Sequence, residues 1–119
     1  MRLKKKLLEK SYLYLIVDKK IARNQPLSSI VNRIKYCGAD IIQYRDKESK
    51  KEDILKNAFL LQKSLLNTKC IFIINDYLYV AKLVNSDGIH LGQDDAPIEI
   101  AREVLGRDKI IGISCHNLK

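Results

Sequence analysis

Asp76 and Asp95 are the residues that most invite chemistry. Each follows a short apolar run: Ile71-Phe72-Ile73-Ile74-Asn75-Asp76 in one case, Gly88-Ile89-His90-Leu91-Gly92-Gln93-Asp94-Asp95 in the other. A run of β-branched or aromatic residues of this length reads as a buried strand, and the abrupt change to polar residues marks its end. If the two strands are parallel neighbours, both carboxylates leave the sheet on one side, where α/β folds build their sites. Two carboxylates there, with the Asn75 amide beside one, suit an oxygen-ligated Mg²⁺ that also holds a phosphate. Cations for such a phosphate stand in Gln43-Tyr44-Arg45-Asp46-Lys47. An extended backbone sends Gln43, Arg45 and Lys47 to one side, and Arg45 and Lys47 are phosphate ligands by charge and geometry. Asn75 and Ser114 can donate or accept hydrogen bonds. Simpler roles also exist. Asp76 and Asp95 each precede a helix and, taken singly, read more readily as N-caps. Arg45 and Lys47 could pair with Asp46 and Glu48 as surface charges, and Gln43 could merely end a strand. His90, between Ile89 and Leu91, reads as a structural histidine, and His116 is assigned no role.

The elements that must position these residues follow from periodicity. Tyr12–Val17 is a strand ending at Asp18, and Lys19–Gln25 is loop-like. Pro26 suits the first turn of a helix carrying Leu27, Ile30, Val31 and Ile34, with Gly38 at its end. A second strand covers Ala39–Ile42. A second helix covers about 51–66, with Ile54, Ala58, Leu61 and Leu65 as its buried stripe. Cys70–Ile74 is the third strand. A short helix then turns Tyr77, Val80, Ala81 and Val84 inward, and Gly88–Leu91 is the fourth strand. Asp95 and Pro97 open a helix with Ile98, Ala101, Val104 and Leu105 inward and Gly106 as its stop. Lys109–Ile113 is the fifth strand. Every strand-to-strand gap is long enough for a crossover helix, so the order βαβαβαβαβ demands a parallel sheet with right-handed crossovers. The polar residues Asp18, Gln43–Lys47, Asn75, Asp76, Gln93–Asp95 and Ser114 all fall just after strands, at one edge of that sheet.

Composition bounds the function. The 119 residues are one domain's worth of chain, and 46% hydrophobic content suits a packed core. No apolar run approaches ~18 residues, so a transmembrane helix is not expected. Met1–Leu8 begins like a signal peptide, but Glu9 and Lys10 interrupt it and no small-residue cleavage site follows. A cytoplasmic location is therefore expected. Cys37, Cys70 and Cys115 are odd in number and widely spaced, without the CxxC of zinc and redox motifs. The net charge of +8 is uneven: residues 1–63 carry 16 Lys and Arg against 7 Asp and Glu, whereas residues 64–119 carry 6 against 7. A basic half favours anionic partners. Residues 2–10 read as a short basic amphipathic helix with Leu3, Leu7 and Leu8 on one face, within a basic arm over 1–11. That segment lacks interleaved aromatics and any recognised motif, which argues against nucleic-acid binding.

With these motifs in view, the chain resembles the thiamine-phosphate synthase family, a TIM-barrel family. The pieces that carry the resemblance are Tyr12–Asp18, Gln43-Tyr44-Arg45-Asp46-Lys47, Ile74-Asn75-Asp76, Asp87–Asp95 and Ile111-Gly112-Ile113-Ser114-Cys115-His116. They occur in family order and near family spacing. The resemblance implies a transferase of thiamine biosynthesis that joins hydroxymethylpyrimidine diphosphate to a thiazole phosphate and releases diphosphate. It implies that Gln43, Arg45 and Lys47 bind the pyrimidine diphosphate, that Tyr44 and Asp46 line that loop, and that Asn75 and Ser114 hydrogen-bond the same substrate. It implies that Asp76 and Asp95 hold Mg²⁺. The implied reaction is a dissociative displacement needing no side-chain nucleophile: the aminopyrimidine stabilises a methylene cation and the thiazole nitrogen attacks.

Tyr77 departs from the family, which often has Arg after Asn-Asp. A TIM barrel takes eight strands and about 200 residues or more, whereas five strands are read here. Residues 1–119 therefore read as one domain, the N-terminal part of a (β/α)8 barrel. The family's later thiazole-phosphate loop and glycine-rich phosphate turns have no counterpart in this sequence. A truncated product, one part of a split enzyme completed by a C-terminal chain, and a half-barrel that pairs with a second copy are all open readings. Alternatives in function are a thiazole tautomerase on the same barrel and a non-catalytic half-barrel. Gln43, Arg45, Lys47, Asp76 and Asp95 occurring together favour the synthase.

Overall fold

A computed structural model describes residues 13–20, 22 and 24–114; the basic arm expected over 1–11, and His116, lie outside them. Five strands alternate with four helices: β1 (Tyr14–Asp18), α1 (Leu27–Cys37), β2 (Ile41–Arg45), α2 (Lys51–Leu65), β3 (Ile71–Asn75), α3 (Leu78–Val84), β4 (Gly88–Leu91), α4 (Ile98–Leu105) and β5 (Ile110–Ile113). All neighbours are parallel and the sheet runs in sequence order, β1-β2-β3-β4-β5. This is a TIM-type α/β arrangement left unclosed, with β1 and β5 as edges among the described residues.

The helices form where their sequences favour them. α1 starts directly after Pro26 and ends at Gly38, whose φ of 75° is a left-handed conformation that glycine adopts without steric cost. α2 carries Glu52 and Asp53 in its first turn and Lys63 in its last, each sign facing the favourable end of the helix dipole. Its stripe of Ile54, Ala58, Leu61 and Leu65 is buried against the outer face of the sheet. Strand alternation then divides the apolar residues into two layers. Val17, Ile42, Tyr44, Phe72, Ile74, Ile89 and Leu91 face the helices and form the main core. Complete burial of a side chain such as Phe72 contributes about 1.5–3 kcal/mol. Ile41, Ile71 and Ile73, with Ile110 beside them, face the concave side and form a second, smaller cluster. That side is uncovered near β1, where Ile16 is 53% exposed.

Three expectations shift. β2 begins at Ile41 rather than Ala39 and runs on to Arg45, because Gln43 and Arg45 take concave-side positions that need not be apolar. β1 takes in Asp18 and starts at Tyr14, and β3 takes in Asn75 and starts at Ile71. In α4, Ala101 and Leu105 are buried as expected, but Ile98 and Val104 are exposed. The helix sets only one narrow stripe against the sheet and α3.

Candidate active site

Each strand delivers its last concave-facing residue to the carboxyl end of the sheet. The registers pair Asp18 with Arg45 and Asn75 with His90, so strand geometry sets each pair side by side on the concave face. A cavity of about 370 Å³ opens there, lined by Arg45, Lys47, Asn75, Asp76, Asp95 and Ser114. His90, Gly92, Gln93 and Asp94 complete its wall.

Both basic residues are held by carboxylates. Arg45 Nη1 lies 2.6 Å from Asp18 Oδ2, and Asp18 Oδ1 accepts the Lys20 N–H at 2.9 Å. The Lys47 ammonium pairs with Asp76 Oδ2; the Lys47 side chain is 46% exposed and that of Asp76 only 7%. Asp76 sits at φ 71°, a left-handed conformation that costs a non-glycine residue about 1–3 kcal/mol. Aspartate tolerates this region better than most side chains. The Asp76 N–H donates to the His90 carbonyl at 2.8 Å and the Tyr77 N–H to the Asn75 carbonyl at 2.9 Å, which fixes the turn. Neither aspartate caps a helix: Tyr77 and Pro97 occupy the cap positions, without side-chain cap bonds. Instead, Asp95 Oδ2 accepts the Gly92 N–H at 2.6 Å.

An amide ladder runs beneath the charges. Gln43 contacts the Tyr14 hydroxyl at 2.9 Å and the Asn75 amide at 2.9 Å. With its nitrogen toward Asp76, the Asn75 amide donates to that carboxylate at 3.0 and 3.2 Å and turns its oxygen to Gln43; the Gln43 amide then donates to that oxygen and accepts from the Tyr14 O–H. On the far wall His90 Nε2 lies 2.7 Å from Ser114 Oγ. A Cβ on Gly112 would come within 2.8 Å of His90 Nδ1, so the glycine makes room for the ring.

Of the residues singled out in the sequence, Arg45, Lys47, Asn75, Asp76, Asp95 and Ser114 share the cavity. Gln43 lies below it, buried in the ladder. Tyr44 and Asp46 do not face it. They are 2% and 1% exposed on the helix side of β2, where the Tyr44 hydroxyl donates to Asp46 Oδ2 at 2.9 Å. Asp46 Oδ1 also accepts the N–H groups of Glu48 and Ser49 at 3.0 and 2.9 Å, closing an Asx-type turn that carries Lys47. Burial pushes the Asp46 carboxyl up, but the hydrogen bonds from Ser49, Glu48 and Tyr44 outweigh it and hold the group below its ordinary value. Burial raises the Tyr44 phenol well above its own, reinforced by Asp46 against an opposing hydrogen bond from Asn57. Tyr77, whose hydroxyl donates to the Asp46 carbonyl at 2.9 Å, is likewise raised by burial and then by the Asp46 charge. His90, whose place between Ile89 and Leu91 reads as structural, also lines the cavity. The signal was strand parity: with Ile89 and Leu91 turned to the helices, the residue between them must face the concave side.

The fold and this site define a TIM-type β/α protein with a polar, charged cavity at the carboxyl ends of its strands. The chain belongs to the thiamine monophosphate synthase family, whose profile matches residues 13–119. It is 44% identical over 107 residues to the thiamine-phosphate synthase of Halalkalibacterium halodurans, covering 90% of this chain and 51% of that protein. It is 39% identical over 105 residues to that of Lawsonia intracellularis, covering 88% of this chain and 48% of that protein. Among solved structures, thiamine phosphate pyrophosphorylase from Pyrococcus furiosus superposes with a TM-score of 0.75 at 30% identity, over 90% of this chain and 51% of that one. The chain thus spans about half the length of these relatives. No helix among the described residues is long and apolar enough to cross a membrane.

Proposed function

We propose that this chain carries the pyrimidine-diphosphate half of a thiamine-phosphate synthase site. One observation carries the reading: Arg45 and Lys47 converge with Asp76, Asp95, Asn75 and Ser114 on a single cavity at the strand ends. Arg45 and Lys47 bind the diphosphate and neutralise the charge that develops on it as it leaves. Asn75 and Ser114 orient the pyrimidine end by hydrogen bonding. Gln43 acts from below by holding Asn75. Tyr44 and Asp46 shape the turn that presents Lys47 and do not touch substrate.

Asp76 and Asp95 are the residues that would hold Mg²⁺. The donor set fits a hard cation, since every candidate ligand is an oxygen, and the nearly buried Asp76 carboxylate already has a cation against it. Bound there, the ion would supply positive charge to a leaving diphosphate. The thiazole phosphate and the remaining β/α units belong to polypeptide beyond the five strands described. The open β1 and β5 edges and the half-exposed Tyr14, Ile16 and Ile113 support this division.

The test is a calorimetric titration of the folded protein with hydroxymethylpyrimidine diphosphate, with and without Mg²⁺. Saturable, Mg²⁺-dependent binding that Arg45→Ala weakens at least tenfold is expected. No binding, or binding indifferent to both metal and Arg45, would overturn the assignment.

A further inference from the structure

The two basic residues of the cavity are tied down in different ways. Arg45 is held by Asp18, whose second oxygen is fixed by the Lys20 N–H. That pair lies at the β1 edge and engages neither Asp76 nor Asp95. Lys47 is held by Asp76 itself. Its backbone is anchored, because Asp46, the residue before it, accepts the N–H groups of Glu48 and Ser49 that follow it. Its half-exposed side chain keeps four rotatable methylenes. The carboxylates differ too. Asp95 has a backbone N–H on Oδ2, whereas Asp76 combines the Asn75 amide with the Lys47 ammonium. A carboxylate as buried as Asp76 needs a cation or strong donors at all times.

Resting on the reading of Asp76 as a metal ligand, we infer that Lys47 is a tethered counter-ion that exchanges with the divalent cation. It occupies Asp76 while the cavity is empty and moves to the diphosphate when metal and substrate arrive. The Lys47 ammonium and a divalent ion compete for the same Asp76 oxygen, so the lysine weakens binding of metal alone. A diphosphate offers the ammonium a second, stronger partner and so releases Asp76 to the metal. The linkage is reciprocal, and couplings of this kind are worth about 5- to 150-fold in affinity. The arrangement keeps the cavity from filling with metal before the anion that needs it.

The experiment measures Mn²⁺ affinity without any anion, by electron paramagnetic resonance on the full chain, and inorganic diphosphate affinity separately by calorimetry. Lys47→Ala should bind Mn²⁺ about tenfold more tightly than the parent and diphosphate about tenfold more weakly. The exposed Lys50→Ala serves as the control for loss of one nearby charge and should change neither by more than about twofold. Lys47→Met, which keeps most of the aliphatic stem, should repeat the opposite signs. Mn²⁺ affinity that is unchanged or weaker in both Lys47 variants overturns the exchange, and so does a gain that Lys50→Ala matches. If that result comes with intact Mg²⁺-dependent substrate binding in the parent, the proposed function stands and only the exchange falls. No Mn²⁺ binding by any of the proteins, with or without diphosphate, overturns both.

Discussion

The two ends of the sheet use polar side chains in opposite ways. At the amino ends, side chains bond to backbone. Asp87 Oδ2 accepts the buried Phe72 N–H at 2.8 Å, Asp40 Oδ2 accepts the Leu13 N–H at 2.9 Å, and Ser86 Oγ donates to the Gly88 carbonyl at 2.8 Å. Lys109 donates to the Ser86 carbonyl at 2.7 Å. At the carboxyl ends, side chains bond mainly to one another: Arg45 to Asp18, Lys47 to Asp76, Gln43 to Tyr14 and Asn75, His90 to Ser114. A side chain bonded to backbone fixes strand register and cannot leave without breaking the sheet. A side chain bonded to another can change partner at the cost of a rotamer. The amino end therefore holds the fold, and the carboxyl end is where a ligand can be exchanged in.

Substitutions at the two ends should separate activity from stability. The largest effect is expected at Asp76. On the proposed function, Asp76→Asn should lower synthase turnover about 10²-fold or more, in line with loss of one charged stabilising group. The urea midpoint should move little, because asparagine also tolerates the left-handed backbone. Steady-state rates beside denaturation curves check this, and a large loss of stability would place Asp76 with the fold-holding residues. Asp87→Ala should do the reverse. It strands the buried Phe72 N–H and should cost about 1–3 kcal/mol in urea unfolding, with diphosphate affinity unchanged.

The smallest effect concerns Asp46, which sits at the carboxyl end but behaves like an amino-end residue. Its folded-state carboxyl lies below the ordinary value of 3.8. Its stabilising contribution is therefore present above that value and is lost as pH falls from it through the folded one. Asp46→Asn should flatten the acid limb of stability against pH in that window, as followed by denaturant unfolding at a series of pH values. An unchanged acid slope would remove Asp46 from the comparison.

Much of the fold was legible because strands and helices announce themselves by period. The runs around Ile73 and Ile89 and the stripe Ile54, Ala58, Leu61, Leu65 lie where their patterns place them. Strand ends were less legible: the concave side accepts Gln43, Arg45 and Asn75 inside strands, where an apolar pattern sees a terminus. In the site, spacing brought out Arg45, Lys47, Asp76 and Asp95, but contiguity misled at Tyr44 and Asp46. They share a motif with Arg45 and Lys47 yet face the helices, as alternation alone requires. The left-handed turn at Asp76 has no sequence signature, since nothing in Asn75-Asp76-Tyr77 forces it without the His90 carbonyl from the next strand.

The amide ladder has a consequence for assembly. Its first rung, the Tyr14 hydroxyl, stands on the open β1 edge, where Tyr14 is 44% exposed, and its last is the Asp76 carboxylate. Any polypeptide that pairs with β1 also strips water from that first rung. A hydrogen bond shielded from solvent is stronger and polarises the bonds in series with it. Closure of the sheet and the set of the Asp76 side chain are in this sense one equilibrium, read at opposite ends of a row of four side chains.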